Sequence, residues 1–197
     1  ILDPQQTKGR AEAEVARAAL RGGAGVIQLR DKTRDKGQLL PLALELGKLC
    51  AEAGALFIVN DDIDLALAAG ADGVHLGQKD LPLGVARRVL PLGAVVGRST
   101  ATLEEALRAQ EEGADYIAVG AIYPTTSKAS TRPAGLATLR QVKKAVSAPV
   151  VAIGGINEGN LAEVVKAGAD AAAVISAVMG AEDVEGAARK LASLMKG

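Results

Sequence analysis

Tryptophan is missing from the chain, and aromatic side chains are few: Phe57, Tyr116 and Tyr123. A core must therefore be assembled from Ala, Val, Leu and Ile. Net charge is missing as well, because 23 Lys+Arg offset 23 Asp+Glu. That balance gives no electrostatic support for binding nucleic acid or an anionic membrane surface. Cys50 is the only cysteine. It excludes an intramolecular disulfide, as expected of a cytoplasmic protein. It also lies in an apolar helical pattern, which reads as a buried thiol. No apolar run reaches the ~18 residues that a membrane-spanning helix needs. The chain opens on Ile1-Leu2-Asp3-Pro4 with no leader-like segment, and its start looks clipped. There is no G-x-S-x-G elbow, no C-x-x-C pair and no Walker loop. His75 is the only histidine. It has no metal-ligand partner in the sequence and reads as a hydrogen-bonded core residue. Nucleophilic catalysis thus has no evident candidate.

What is present is a globular chain of 197 residues, 49% of them apolar, which is enough to bury a sizeable core. Apolar periodicity and turn residues predict helices over 8–21, 35–53, 63–69, 83–90, 102–112, 136–146, 158–167 and 183–195. Thr102 to Glu105 has the form of a capping box. Short hydrophobic runs predict strands at 1–3, 26–30, 55–59, 73–77, 94–97, 116–122, 150–153 and 171–175. Gly-Ala recurs at 23, 54, 70, 93, 113 and 168. Each time it follows a helix and precedes a strand, as a left-handed helix stop leading into the sheet. Eight strands alternating with eight helices, and no hairpin turns, predict a parallel α/β fold. The expectation is a single (β/α)8 TIM barrel over residues 1–197 with a short first strand.

In such a barrel the working site lies at the C-terminal strand ends. Polar residues collect there: Arg30, Asp31 and Lys32; Asn60 and Asp61; Gln78 and Asp80; Arg98, Ser99 and Thr100; and the loop from Tyr123 to Lys128. The opposite rim is mostly Gly, Ala and Pro. Gly154, Gly155 and Ser176 follow the last two strands, the usual phosphate position of this fold. Tight packing at a strand end is the other reading of those glycines. Arg30, Lys32, Arg98 and Lys128 suit an anionic substrate. Asp61 and Asp80 suit a hard divalent cation, or else are helix N-caps. Gln28 either reads a heterocycle or is a satisfied core amide. The loop after Tyr123 is long and polar, and is expected to order over ligand.

These pieces resemble the thiamine phosphate synthase family. The matching stretches are Gln28-Leu29-Arg30-Asp31-Lys32, Asn60-Asp61, 73–78 with Asp80, 97–100, 120–125 with Lys128, 152–156 and 174–177. They run through nearly the whole chain in family order. The resemblance implies a (β/α)8 barrel that joins hydroxymethylpyrimidine diphosphate to a thiazole phosphate. The resemblance covers thiazole phosphate or its carboxylated precursor, which also releases CO2. Pyrophosphate leaves and thiamine phosphate forms. It implies that Gln28, Leu29, Arg30, Asp31, Lys32, Asn60 and Ser99 meet the pyrimidine diphosphate. Thr125, Thr126, Ser127, Gly155, Ile175 and Ser176 hold the thiazole phosphate, and Lys128 contacts the diphosphate. Arg30, Lys32, Lys128 and Ser99 carry the catalysis, and Asp61 and Asp80 bind Mg2+. The partners implied are these small molecules, with a homo-oligomer left open. Two departures stand out. Ser127 replaces a common Thr, and Arg98 replaces a small apolar residue. Arg98 resembles the sister thiazole tautomerases, but their catalytic His corresponds to Ala101 here. A non-catalytic phosphate-binding barrel is the third reading.

Overall fold

The computed structural model describes residues 1–125 and 132–196. A 3-10 turn, Pro4–Gln6, comes first. Then follow α1 (Glu12–Arg21), β1 (Val26–Leu29), α2 (Lys36–Ala53), β2 (Leu56–Asn60), α3 (Ile63–Ala69) and β3 (Gly73–Leu76). The chain continues with α4 (Leu83–Val89), β4 (Val95–Thr100), α5 (Leu103–Glu111), β5 (Tyr116–Val119) and α6 (Gly135–Ala145). It ends with β6 (Val150–Ile153), α7 (Leu161–Lys166), β7 (Ala171–Ala173), α8 (Ser176–Met179) and α9 (Val184–Lys196). The seven strands lie in one sheet in sequence order, β1 to β7. The β1–β2, β4–β5, β5–β6 and β6–β7 pairs are parallel.

The expected eighth strand at the N-terminus is reduced to one bridge. Leu2 pairs with Leu29, its N–H donating to the Gln28 carbonyl at 2.7 Å and its carbonyl accepting from Arg30 N–H at 2.9 Å. Pairing stops there because Pro4 has no N–H and starts the 3-10 turn. The Asp3 carboxylate caps that turn by accepting from Gln5 N–H at 3.1 Å. So the fold is α/β with seven extended strands among the described residues, where the sequence pattern predicted eight.

The contacts divide the chain into two compact units. The first holds Ile1–Val74, Leu92–Val95 and Ile175–Ser193. Its core centres on Leu2, Leu29, Leu46, Phe57, Ile58 and Val74, each at most 2% exposed. The α2 helix spans 18 residues because both its ends are closed. Asp35 and Gln38 form a reciprocal capping box, and Gly54 stops the helix in the left-handed conformation, φ 66°.

The second unit holds His75–Pro91, Val96–Val174 and Leu194–Gly197. Leu83, Val96, Ile117, Val119, Leu139, Val150 and Leu161 are fully buried there. β4 runs three residues further than its hydrophobicity suggests, since Ser99 and Thr100 pair with Ala118 and Val119. Gly97 has no side chain because the Tyr116 ring occupies its space. A Cβ at Gly97 would stand 2.0 Å from Tyr116 Cζ. The expected box at Thr102 is half formed. Thr102 Oγ1 accepts from Glu105 N–H at 3.3 Å, while the Glu105 carboxylate accepts from Ala101 N–H at 2.8 Å. All six glycines of the Gly-Ala repeat have positive φ, as the repeat predicts.

Candidate active site

In the first unit the polar residues follow β1 and β2. Strand alternation turns Gln28 inward, and it is 8% exposed. Among the described residues nothing hydrogen-bonds its side-chain amide. Leu29, the next residue of the strand, is buried as well. Arg30 leaves the strand end half-buried, its guanidinium on the Asp3 carboxylate.

The Asp31 carboxylate faces inward and is 0% exposed. It accepts from Thr33 N–H and Thr33 Oγ1, both at 2.7 Å, and from Arg34 N–H at 3.2 Å and Arg34 Nε at 2.6 Å. Burial alone would raise its pKa. The bonds from Thr33 and Arg34 outweigh that and hold it at about 2. Arg34 also pairs with Glu12 at 2.7 Å. The loop after β1 is therefore tied down from within, and the Lys32 side chain is left pointing outward, half-exposed. The Lys32 ammonium meets the Asp61 carboxylate.

Asp61 has φ 65°, a left-handed backbone that non-glycine residues seldom take, Asn and Asp being the most tolerant. Such a residue is held by its surroundings and is typical of working sites. It is not a helix cap, because Asp62 occupies the N-cap of α3. Asn60 precedes it at the end of β2, half-buried.

In the second unit His75 is buried, and both ring nitrogens are engaged. Nδ1 lies 2.9 Å from Tyr116 Oη and Nε2 lies 2.7 Å from Ser99 Oγ. The His75 and Tyr116 rings stack, with centroids 5.5 Å apart. The core-histidine reading holds, and its hydrogen bond fixes the hydroxyl of Ser99. In the turn after β3, the Asp80 carboxylate accepts from Gly77 N–H at 2.6 Å. Asp80 does not cap α4 either, since the N-cap there is Pro82. Neither acidic residue therefore serves as a helix cap. Arg98, expected at the mouth of the site, instead sits inside β4 at 8% exposure.

After β6, Gly155 has φ 66°, and a Cβ would meet the Pro124 carbonyl oxygen at 2.6 Å. Its own carbonyl accepts from Asn160 Nδ2 at 2.9 Å. Thr125 is half-buried at the end of the preceding loop. Thr126, Ser127 and Lys128, with the loop expected to order over ligand, lie outside the described residues. In the first unit Ile175 is the N-cap of α8 and Ser176 its exposed first residue. Sequence reasoning missed α8 because four residues show no period. It also missed Tyr116, whose only signal was its rarity beside Gly97.

Asp61, in the first unit, and Asp80, in the second, each offer hard oxygen donors of the kind Mg2+ takes. Among the described residues no group of three or more His, Cys, Asp or Glu could hold a metal ion. The Lys32 ammonium already places positive charge on Asp61. Each carboxylate by itself is a donor that suits the ion.

Comparison with known proteins follows the same line. A family model described as thiamine monophosphate synthase matches residues 1–178. The thiamine-phosphate synthase of Methanocella arvoryzae is 53% identical over 196 residues, 99% of this chain and 92% of that protein. That of Chloroflexus aurantiacus is 47% identical over 196 residues, 99% and 90% of the two chains. A solved structure, thiamine phosphate pyrophosphorylase from Pyrococcus furiosus, superposes with a TM-score of 0.91 at 44% identity, covering 98% of this chain and 93% of that one.

Proposed function

Because the chain belongs to the thiamine monophosphate synthase family, we infer that it joins hydroxymethylpyrimidine diphosphate to thiazole phosphate, releasing pyrophosphate and giving thiamine phosphate. It is a transferase acting on small molecules, and its relatives are named thiamine-phosphate synthases. A carboxylated thiazole precursor would enter the same way and lose CO2. We read residues 1–197 as one (β/α)8 domain in the cytoplasm, with the Leu2 bridge marking the eighth strand.

The pairing of Lys32 with Asp61, at a left-handed backbone position after β2, carries the residue-level reading. Gln28 meets the pyrimidine heterocycle over Leu29, with Asn60 and Ser99 as further polar partners. Arg30 and Lys32 turn from Asp3 and Asp61 to the diphosphate, and Lys128 joins them there. Asp31 acts through the loop it organises, which sets the angle of its two basic neighbours. Thr125, Thr126, Ser127, Gly155, Ile175 and Ser176 take the thiazole phosphate. Asp61 and Asp80 hold Mg2+. When bound, the ion neutralises charge on the diphosphate.

The reaction then needs little acid–base machinery. The C–O bond to the diphosphate breaks while Arg30, Lys32 and Lys128 hold the departing anion. The thiazole nitrogen captures the pyrimidine cation left behind. The tautomerase alternative needs an acid–base group that Ala101, buried and aliphatic, does not supply.

The test is pyrophosphate release by the purified protein from the two substrates, with and without EDTA, for the native chain, Asp61→Asn and Asp80→Asn. Asn tolerates the left-handed backbone as well as Asp does, so Asp61→Asn removes charge without adding strain. Each variant should lose turnover by a factor of about 100 or more, equivalent to ~3 kcal/mol, with an unchanged melting point. Full activity in EDTA would end the metal assignment. No pyrophosphate from the native chain would end the synthase reading.

A further inference from the structure

The surroundings of Arg98 give it a task. It lies within β4 at 8% exposure. Burying a guanidinium is unfavourable unless its donors are used. Its Nη1 donates to the Leu81 carbonyl at 3.2 Å. Leu81 follows Asp80 directly, at the end of the turn after β3.

The next residue of β4 grips the same turn from its start. The Ser99 carbonyl accepts from Gln78 Nε2 at 2.7 Å. Strand alternation sends the Arg98 and Ser99 side chains to opposite faces of the sheet. Neighbouring residues of one strand thus hold both ends of a short segment, Gln78 by the main chain and Leu81 by the guanidinium. Within the segment, Asp80 N–H donates to the Gly77 carbonyl at 3.2 Å and the Asp80 carboxylate accepts from Gly77 N–H at 2.6 Å. These hydrogen bonds together help to define where the Asp80 carboxylate stands.

We propose that Arg98 is a positioning residue for Asp80, fixing the carboxylate for the cation through the Leu81 carbonyl. This rests on the reading of Asp80 as a metal ligand. A small apolar side chain at this position would leave the Leu81 end of the turn unheld from β4. Groups that orient a ligating side chain typically change metal affinity by about 10–100-fold when removed. A guanidinium tether should act at the low end of that range, since the Gln78 tether survives.

The test compares native protein, Arg98→Met, Arg98→Lys and Asp80→Asn. Pyrophosphate release is titrated with Mg2+, and Mn2+ binding in the presence of pyrophosphate is followed by electron paramagnetic resonance. Arg98→Met should raise half-saturating Mg2+ about tenfold and weaken Mn2+ binding to match. Turnover at saturating Mg2+ should recover, and the KM for thiazole phosphate should not move. Arg98→Lys should fall between, since an ammonium can still reach a carbonyl. It also serves if the Met variant does not fold. Asp80→Asn should shift the Mg2+ dependence further than either. If Asp80→Asn shifts it and both Arg98 variants do not, whatever their melting points, Arg98 is structural only and the proposal falls alone. If Asp80→Asn itself leaves the Mg2+ dependence and Mn2+ binding unchanged, the metal reading of Asp80 falls and takes the proposal with it.

Discussion

Replacing Asp31 by Asn removes one charge and keeps the shape. The amide oxygen can still accept from Thr33. The amide nitrogen would face Arg34 Nε, now 2.6 Å from a carboxylate oxygen, and two donors would oppose each other. Hydrogen bonds to charged groups are worth ~1.5–3 kcal/mol each. The same hydrogen bonds appear in the titration of the group. The Asp31 pKa falls from 3.8 to about 2 on folding, and each unit is worth 1.36 kcal/mol, so the carboxylate contributes about 2 kcal/mol. The side chain is 0% exposed, so solvent screening takes little from it. Because the folded pKa is depressed, that stability is fully present above about pH 4 and is lost as pH falls toward 2.

Asp31→Asn should therefore melt about 4–8 °C below the native protein at pH 7, given ~2–4 °C per kcal/mol for a chain of this size. Urea unfolding from pH 5 to 2.5 should show the two proteins converging as the native carboxylate protonates. In kinetics, the KM for the pyrimidine diphosphate should rise while that for thiazole phosphate stays put, because the loop carries Arg30 and Lys32. Equal melting points at pH 7, with parallel stability curves down to pH 2.5, would show that the Asp31 network holds nothing.

Other expectations follow from single positions. Gly155→Val should abolish thiazole phosphate binding, because a side chain there meets the Pro124 carbonyl at 2.6 Å; unchanged affinity by calorimetry would reduce Gly155 to a packing residue. Ser127→Ala should weaken thiazole phosphate by ~1.5–3 kcal/mol, the worth of a hydroxyl on a charged group, while Ser127→Thr stays near native; an unaltered KM in the Ala variant would remove Ser127 from the site. Gly97→Ala should destabilise the fold by ~1–3 kcal/mol through overpacking against Tyr116. The double variant Gly97→Ala/Tyr116→Leu should regain part of that, and no regain in chemical denaturation would show the clash lies elsewhere.

Legibility in the sequence varied with how local the cause was. α2 was readable because Asp35, Gln38 and Gly54 close it within its own sequence. α3 was readable to the residue, Ile63–Ala69, for the same reason at Gly70. α7 begins at Leu161 and not near 158, because Asn157 and Asn160 first make a turn of their own. There Asn157 Oδ1 accepts from Gly159 N–H and Asn160 Oδ1 from Asn157 N–H, both at 2.9 Å. β4 was underestimated because Arg98, Ser99 and Thr100 look like a loop until β5 pairs with them.

The site divides along the same line. The strand pattern placed Lys32, Asp61 and Asp80 after strand ends and Gln28 within a strand. It could not tell that the Asp31 side chain turns inward while its neighbours turn out. That depends on Arg34, three residues on, reaching back to bridge it to Glu12. Nor could it show Arg98 within the sheet, because its partner carbonyl carries no side-chain signature.

The row formed by Tyr116, His75 and Ser99 has a property that follows from its chemistry. Two ring nitrogens, one protonated in neutral imidazole, lie between two hydroxyls. If Tyr116 donates to Nδ1, then Nε2–H donates to Ser99, and the serine O–H is left to point at whatever faces it. If the polarity runs the other way, Ser99 donates to Nε2 and shows only lone pairs. The same heavy atoms can thus greet a hydrogen-bond donor or an acceptor, and the exchange moves only protons. A serine in a rigid strand becomes a reversible terminal, with its sign set by its visitor and carried back to a phenol that stands where Gly97 left room for it.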